Sequence, residues 1–300
     1  MESVEDIGRK IAALDLWRVV APFNWAIKPR GVAFPYFCSC QCGEQLPLKA
    51  RLYLFEGWNT FHDYVQLRVD GNFGYCSSTV EMPHFELVFL ADGNLKAFRH
   101  ETGFVPREPD DAERALLARL LWEAYGVMLR IESDPKLPLS YSDERAVFAR
   151  VEAPDGTWRD APLTIPERPV LVERVSFPKA KVEAAKNLPF AADEAIELDF
   201  RLRPDLSTRE ARPRFGYELV AADAKTGERL VCERTSVDPA KGLKGLWESV
   251  PPRVLLLIER RGRVPGEIRV RSGRLFRLMR SLGAELPFKL SLHDSLAHCR

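Results

Sequence analysis

The stretch from Arg212 to His298 decides how the chain is read. It runs PRFGYELVAADAKTGERLVCERTSV over 213–237 and LKGLWESVPPRVLLLIERRGRVPGEIRVRSGRLFRLMRSLGAELPFKLSLHD over 243–294. Two apolar runs flank the turn residues Thr226-Gly227, which predicts a hairpin. Helix-spaced leucines then alternate with short runs such as the one ending at Val270. The order predicted is strand, turn, strand, helix, strand, helix, strand, a C-terminal α/β module over 212–300.

Upstream, DLSTREARP at 205–213 reads as a polar connector. VLVERVSF at 170–177 and AIELDFRLRP at 195–204 predict strands, with a short helix over 179–186 between them. The proline- and aspartate-rich residues 135–169 hold the strand-like AVFARVE and a turn at Asp155-Gly156, so 135–211 is expected to be a strand-rich connecting region. Residues 109–132 predict a long helix: Pro109, Asp110 and Asp111 suit its N-terminus, and Leu116, Leu117, Leu120, Leu121, Ala124 and Met128 form an apolar stripe.

The first 134 residues predict an α+β domain around a mainly antiparallel sheet. Ile7, Ile11, Leu14, Trp17 and Val20 recur at helical spacing and predict one helix over 3–20. FNWAIKPRGVAFPYFCSCQC reads as short strands, LKARLYLF as a strand with Lys49, Arg51 and Tyr53 on a wet face, and 58–69 as a helix. HFELVFL and LKAFRHE around Ala91-Asp92-Gly93-Asn94 predict a hairpin. The fold class is α+β, an antiparallel-sheet module followed by an α/β module.

Composition narrows the function classes. With 300 residues, 46% hydrophobic and 29% charged, the chain has what a folded protein of two modules needs. A net charge of +1 gives no overall pull toward nucleic acid or anionic membranes. Acids at Glu2, Glu5 and Asp6 argue against a secretory signal, and no apolar run reaches the ~18 residues of a membrane span. Six cysteines are too few for a disulfide scaffold, so a reducing, cytoplasmic setting is expected.

Two resemblances follow from these residues. YELVAADAKTGERLV with VLLLIERRGRVPGEIRVRSGRLFRLMRSLG resembles the C-terminal domain of unknown function DUF6930, and GFVPREPDDAERALLARLLWEAYGVMLRI resembles the DUF7309 region that precedes it. That resemblance implies a fold and brings no activity. The element order over 215–292 is similar to the RNase H-like core of transposases and integrases, which implies a mixed sheet and carboxylates on separate elements holding two metal ions. Asp223 and Glu248 are the candidate acids on that likeness. Arg271-Ser272-Gly273 stands where a further acid is wanted, and a cation there opposes metal binding.

The candidate sites each have a plain alternative. Asp223 suits a turn cap. Cys38, Cys40 and Cys42 fall on one face of a strand, about 6.5–7 Å apart, and with His62, Cys76 or His84 they offer a soft-metal set; buried thiols are the alternative. Trp58, His62, Asp63 and His84 include acid–base side chains without a placed nucleophile. Arg269, Arg271, Arg274, Arg277 and Arg280 form a basic face for nucleic acid or an acidic partner, or a solvated surface. No complete catalytic set is visible and no cofactor is implied beyond a divalent metal. The expected function is a non-catalytic interaction or regulatory module with a protein partner or self-association. The alternatives are a metal-dependent nuclease-like or nucleic-acid-binding protein and a thiol metal-binding protein.

Overall fold

The structure, a computed structural model, describes residues 2–43, 47–69, 82–137, 146–167, 175–206, 212–238 and 240–299. Among these the chain forms two compact units, Met1–Thr102 with Pro106–Pro169, and Gly103–Val105 with Val170–Arg300. The architecture is α+β in the first unit and α/β in the second. Among the described residues, no helix is long and apolar enough to cross a membrane.

The first unit is built on a seven-stranded sheet. Its strands are β1 (Asn24–Lys28), β2 (Tyr36–Cys42), β3 (Leu48–Glu56), β4 (His84–Leu90), β5 (Leu95–His100), β6 (Ala146–Glu152) and β7 (Trp158–Thr164), in the order β5-β4-β3-β2-β1-β6-β7. All neighbours are antiparallel except β1 and β6, which pair in parallel. The expected connecting region 135–211 thus divides between the units, because the alternating apolar residues of AVFARVE complete this sheet.

One sheet face is covered by α1 (Val4–Leu14), α2 (Trp17–Val20) and α4 (Asp111–Ser133). The single helix expected over 3–20 is two: Asp15 adopts a left-handed φ of 50°, which ends α1 and turns Trp17 onto Phe89 at 4.6 Å. Aspartate tolerates that conformation better than most residues because its short side chain bonds locally. The long helix starts at a capping box, in which Asp110 accepts from the Glu113 amide and the Glu113 side chain accepts from the Asp110 amide. Leu117, Leu120, Leu121, Val127 and Ile131 then bury its sheet-facing stripe.

The other face is not wet along its length. Helix α3 (Gly57–Val69) lays Phe61 on Phe37 at 4.2 Å and Tyr64 on Phe55 at 4.4 Å, so Tyr53 and Phe55 are both buried. An alternating strand pattern records which residues are apolar, and a tyrosine with a bonded hydroxyl satisfies a covered face as well as an open one.

The second unit contains α5 (Lys179–Lys186), β8 (Phe190–Leu206), β9 (Phe215–Asp223), β10 (Arg229–Ser236), α6 (Gly242–Glu248), α7 (Val250–Arg261), β11 (Val264–Val270), α8 (Gly273–Gly283) and β12 (Lys289–Leu292). The sheet order is β10-β9-β8-β11-β12, antiparallel from β10 to β8 and parallel from β8 to β12. The helices cover Ile196, Leu198, Leu219, Ile268 and Val270 on one face. Residues 168–174 and 207–211 lie outside the described part, which takes in most of the strand expected over 170–177 and the middle of the connector; residues 175–177 are not strand, and β8 extends to Leu206.

Candidate metal centre

The β4–β5 hairpin closes on the turn that its sequence announces, with Gly93 at φ 84° and the Asp92 carboxylate accepting from the Asn94 amide at 2.9 Å. That turn sets the register, which places His84 opposite His100 and Glu86 opposite Phe98. Side chains two apart on a strand share a face. His84, Glu86 and His100 therefore meet on the α3 side, and their ligand atoms all lie within 4.8 Å of one another.

His84 is 1% exposed, and its ring stacks on that of His100 with centroids 4.0 Å apart. Its Nδ1 lies 2.7 Å from the Met82 carbonyl. A carbonyl only accepts, so the proton is on Nδ1 and Nε2 carries the lone pair. That Nε2 is buried without a hydrogen-bond partner. Burial, then the neighbouring His100, drive the His84 pKa well below the ordinary histidine value, with Arg99 acting in the same direction and the Met82 bond opposing it. The imidazole is thus neutral, oriented through one nitrogen and available through the other.

Glu86 is bonded through both oxygens. Oε1 accepts from Arg51 at 3.0 Å, and Oε2 lies 2.8 Å from His100 Nε2. Two imidazoles and one carboxylate form a donor set that suits zinc or another borderline divalent ion. Around such an ion, ligand atoms stand roughly 3.3–3.4 Å apart, so a small contraction of the cluster suffices. To act as a ligand through Nε2, His100 would give up its hydrogen bond to Glu86.

The residues singled out in the sequence are distributed differently. Cys38 and Cys40 pair with Leu54 and Leu52 and face the helices on the opposite side of the sheet from His84. Burial raises both thiol pKa values, with a neighbouring cysteine adding to the effect, so in the metal-free protein both are protonated core thiols. Cys42 is half-buried on the same side. His62 Nε2 is 3.1 Å from the Pro166 carbonyl, and Trp58 packs on Phe37 at 4.8 Å. Cys76 lies outside the described residues.

Asp223 holds a turn. Its Oδ1 accepts from the amides of Lys225 at 2.9 Å and Thr226 at 2.8 Å. Glu248 lies at the end of α6, 3.6 Å from Lys244. Asp223 is in register with Ile196, whereas Arg271 follows Val270, the partner of Leu198, and pairs with the buried Asp199 at 2.9 Å. The acid beside Arg271 is therefore Asp199 on β8, further along the sheet than Asp223.

The basic face is broken up in the same way. Arg269 bonds to Glu267 at 2.7 Å, and Arg274 lies 4.3 Å over the ring of Trp247, which is itself buried. Arg277 and Arg280 are exposed. The residues missed by sequence reasoning are Glu86 and His100. The signal for them was present, since a hairpin centred on Asp92-Gly93 and a His-x-Glu alternation are enough to bring them to His84. No family model, curated protein or solved structure matches the chain.

Proposed function

We propose that this protein binds a divalent transition-metal ion, with zinc as the best fit, through His84 Nε2, Glu86 and His100. One observation carries the reading: a neutral, buried histidine nitrogen without a partner, on a ring held by a backbone carbonyl, faces a carboxylate and a second imidazole. A metal-binding histidine is typically oriented by a carbonyl or carboxylate at its other nitrogen. An unfilled buried acceptor costs about 1–3 kcal/mol, which metal binding relieves. The test is calorimetric titration of zinc into the chelator-treated full chain. About one zinc per chain is expected for the native protein and a loss of at least ~100-fold in affinity for Glu86→Gln, with a ~2.7 kcal/mol difference equal to that factor. Equal, weak binding by both proteins excludes the site.

For the second unit we infer an RNase H-like core akin to the DUF6930 domain. Support comes from its mixed sheet, from the turn at Thr226-Gly227 after β9, and from the run Pro265 to Arg271 that leads into α8. Nuclease chemistry is not part of this reading, because Arg271 already neutralises Asp199.

A further inference from the structure

Side chains alternate along β8 and β9, which gives the second sheet two faces. Ile196, Leu198, Leu219 and Ala221 go under the helices, and Glu197, Val220 and Ala222 point the other way. That second face is covered by the chain that follows β12. Leu296 and Cys299 pack on Val220 and Ala222, and all four are buried.

Glu197 spends both carboxylate oxygens on this covering segment. Oε1 accepts from the Ala297 amide at 3.0 Å and Oε2 from the His298 amide at 2.6 Å. Arg201 donates to the Cys299 carbonyl at 3.2 Å, and the Cys299 thiol lies 3.4 Å from the Glu197 carbonyl and 3.8 Å from that of Val220. His298 rests on the turn at Gly227, where a Cβ would stand 2.8 Å from its Nδ1.

We propose that residues 294–299 are a hinged strap that opens and closes over this face as a local unit, with Glu197 as its catch. The attachment is made of side chains: one carboxylate, one guanidinium and two plugs. Among the described residues, no backbone–backbone hydrogen bond joins 294–299 to the sheet, and Asp294, Ser295, Ala297 and His298 are exposed. A segment with few buried contacts and no ladder opens at a lower free energy than the unit it rests on. The His293 amide, held by the Val270 carbonyl at 2.8 Å, pins the near end, so the hinge falls at Asp294 and Ser295. Opening bares the Glu197 carboxylate and the apolar strip of Val220 and Ala222, and the strap therefore gates that face.

Cys299 reports the motion. Burial, followed by the charges of Glu197 and Asp199, pushes its thiol up to about 11, so the closed strap offers a reagent little thiolate. The full chain is pulsed with N-ethylmaleimide over a series of urea concentrations, and labelling is read cysteine by cysteine by mass spectrometry. Cys232, exposed on β10, serves as the internal standard. Alkylation of Cys299 is expected in the folded protein, more slowly than that of Cys232 and with little dependence on urea below the unfolding midpoint. Glu197→Gln turns one acceptor into a donor facing an amide, and should speed Cys299 labelling about tenfold or more while the Cys232 rate and the midpoint hold. Leu296→Ala, which removes a plug outside the sheet, should act in the same direction and serves where Glu197→Gln fails to fold. Labelling of Cys299 that appears only as urea unfolds the unit overturns the strap, as does labelling as fast as that of Cys232. Rates unmoved by both substitutions overturn the catch and the plug together.

Discussion

His84 shows how much one side chain can settle. Its two ring nitrogens have different fates, one bonded to Met82 and one buried without a partner. Filling the same volume with an apolar ring is expected to be nearly neutral or stabilising, since an unsatisfied buried group costs about 1–3 kcal/mol. His84→Phe should therefore keep or raise the denaturant midpoint of the metal-free protein while abolishing zinc binding. A large loss of stability would mean that the Met82 bond, rather than the free nitrogen, explains the residue. Asp223 is the contrasting case. The Thr226 amide holds its carboxyl below the ordinary aspartate value, opposed by burial and helped by the Lys225 amide. The stability it contributes is present above about pH 3.9, the unfolded value, and is lost as pH falls through the lower folded value. Asp223→Ala should cost about 0.5–1.5 kcal/mol at pH 7, leave zinc binding unchanged, and differ less from the native protein as the medium is acidified below pH ~4.

Among the elements, α4 was the most legible and β2 the least. The helix carries its own start signal, and both halves of its capping box are formed. Asp110→Ala is expected to cost about 1 kcal/mol in urea unfolding, with unchanged zinc affinity, because α4 covers the sheet face away from the metal centre. In β2 the spacing of Cys38, Cys40 and Cys42 correctly implies one shared face. Spacing along a strand does not say which of two covered faces that is, and the thiols lie under the helices while the histidines lie on the other side. The hairpin of β4 and β5 is intermediate: its turn chemistry set the register, yet reading a cluster from it required pairing His100 across the strands.

At the scale of the molecule, each unit has its own core, one around Leu52, Phe85, Leu120 and Met128 and another around Leu198, Leu219, Ile268 and Leu278. A defect in the second core should therefore leave the metal centre alone. Ile268→Ala should destabilise the unit that contains it by about 2–5 kcal/mol, seen through Trp247 fluorescence in a protein whose other tryptophans are replaced by phenylalanine. Zinc affinity should stay within about twofold of native, the range expected for distant sites. A parallel loss of zinc binding would show that the two cores unfold as one.

Local chemistry in the sequence determined the hairpin turns, the start of the long helix at Asp110 and the alternation of strands with helical segments over 215–292, because φ/ψ preference and apolar period act over a few neighbouring residues; it did not mark the break at Asp15 or divide the helical segment 242–261 in two. Asp223 as a turn cap is of that kind, and it was readable from Ala-Asp-Ala-Lys-Thr-Gly alone. What only the tertiary structure decided depends on residues far apart in the chain: that β6 and β7 join the first sheet, that Arg271 meets Asp199, that α3 closes over Tyr53 and Phe55, and that His100 completes a cluster with His84 and Glu86. Those outcomes follow from which faces are buried together and from the cost of leaving charge or hydrogen-bonding capacity unmatched once they are.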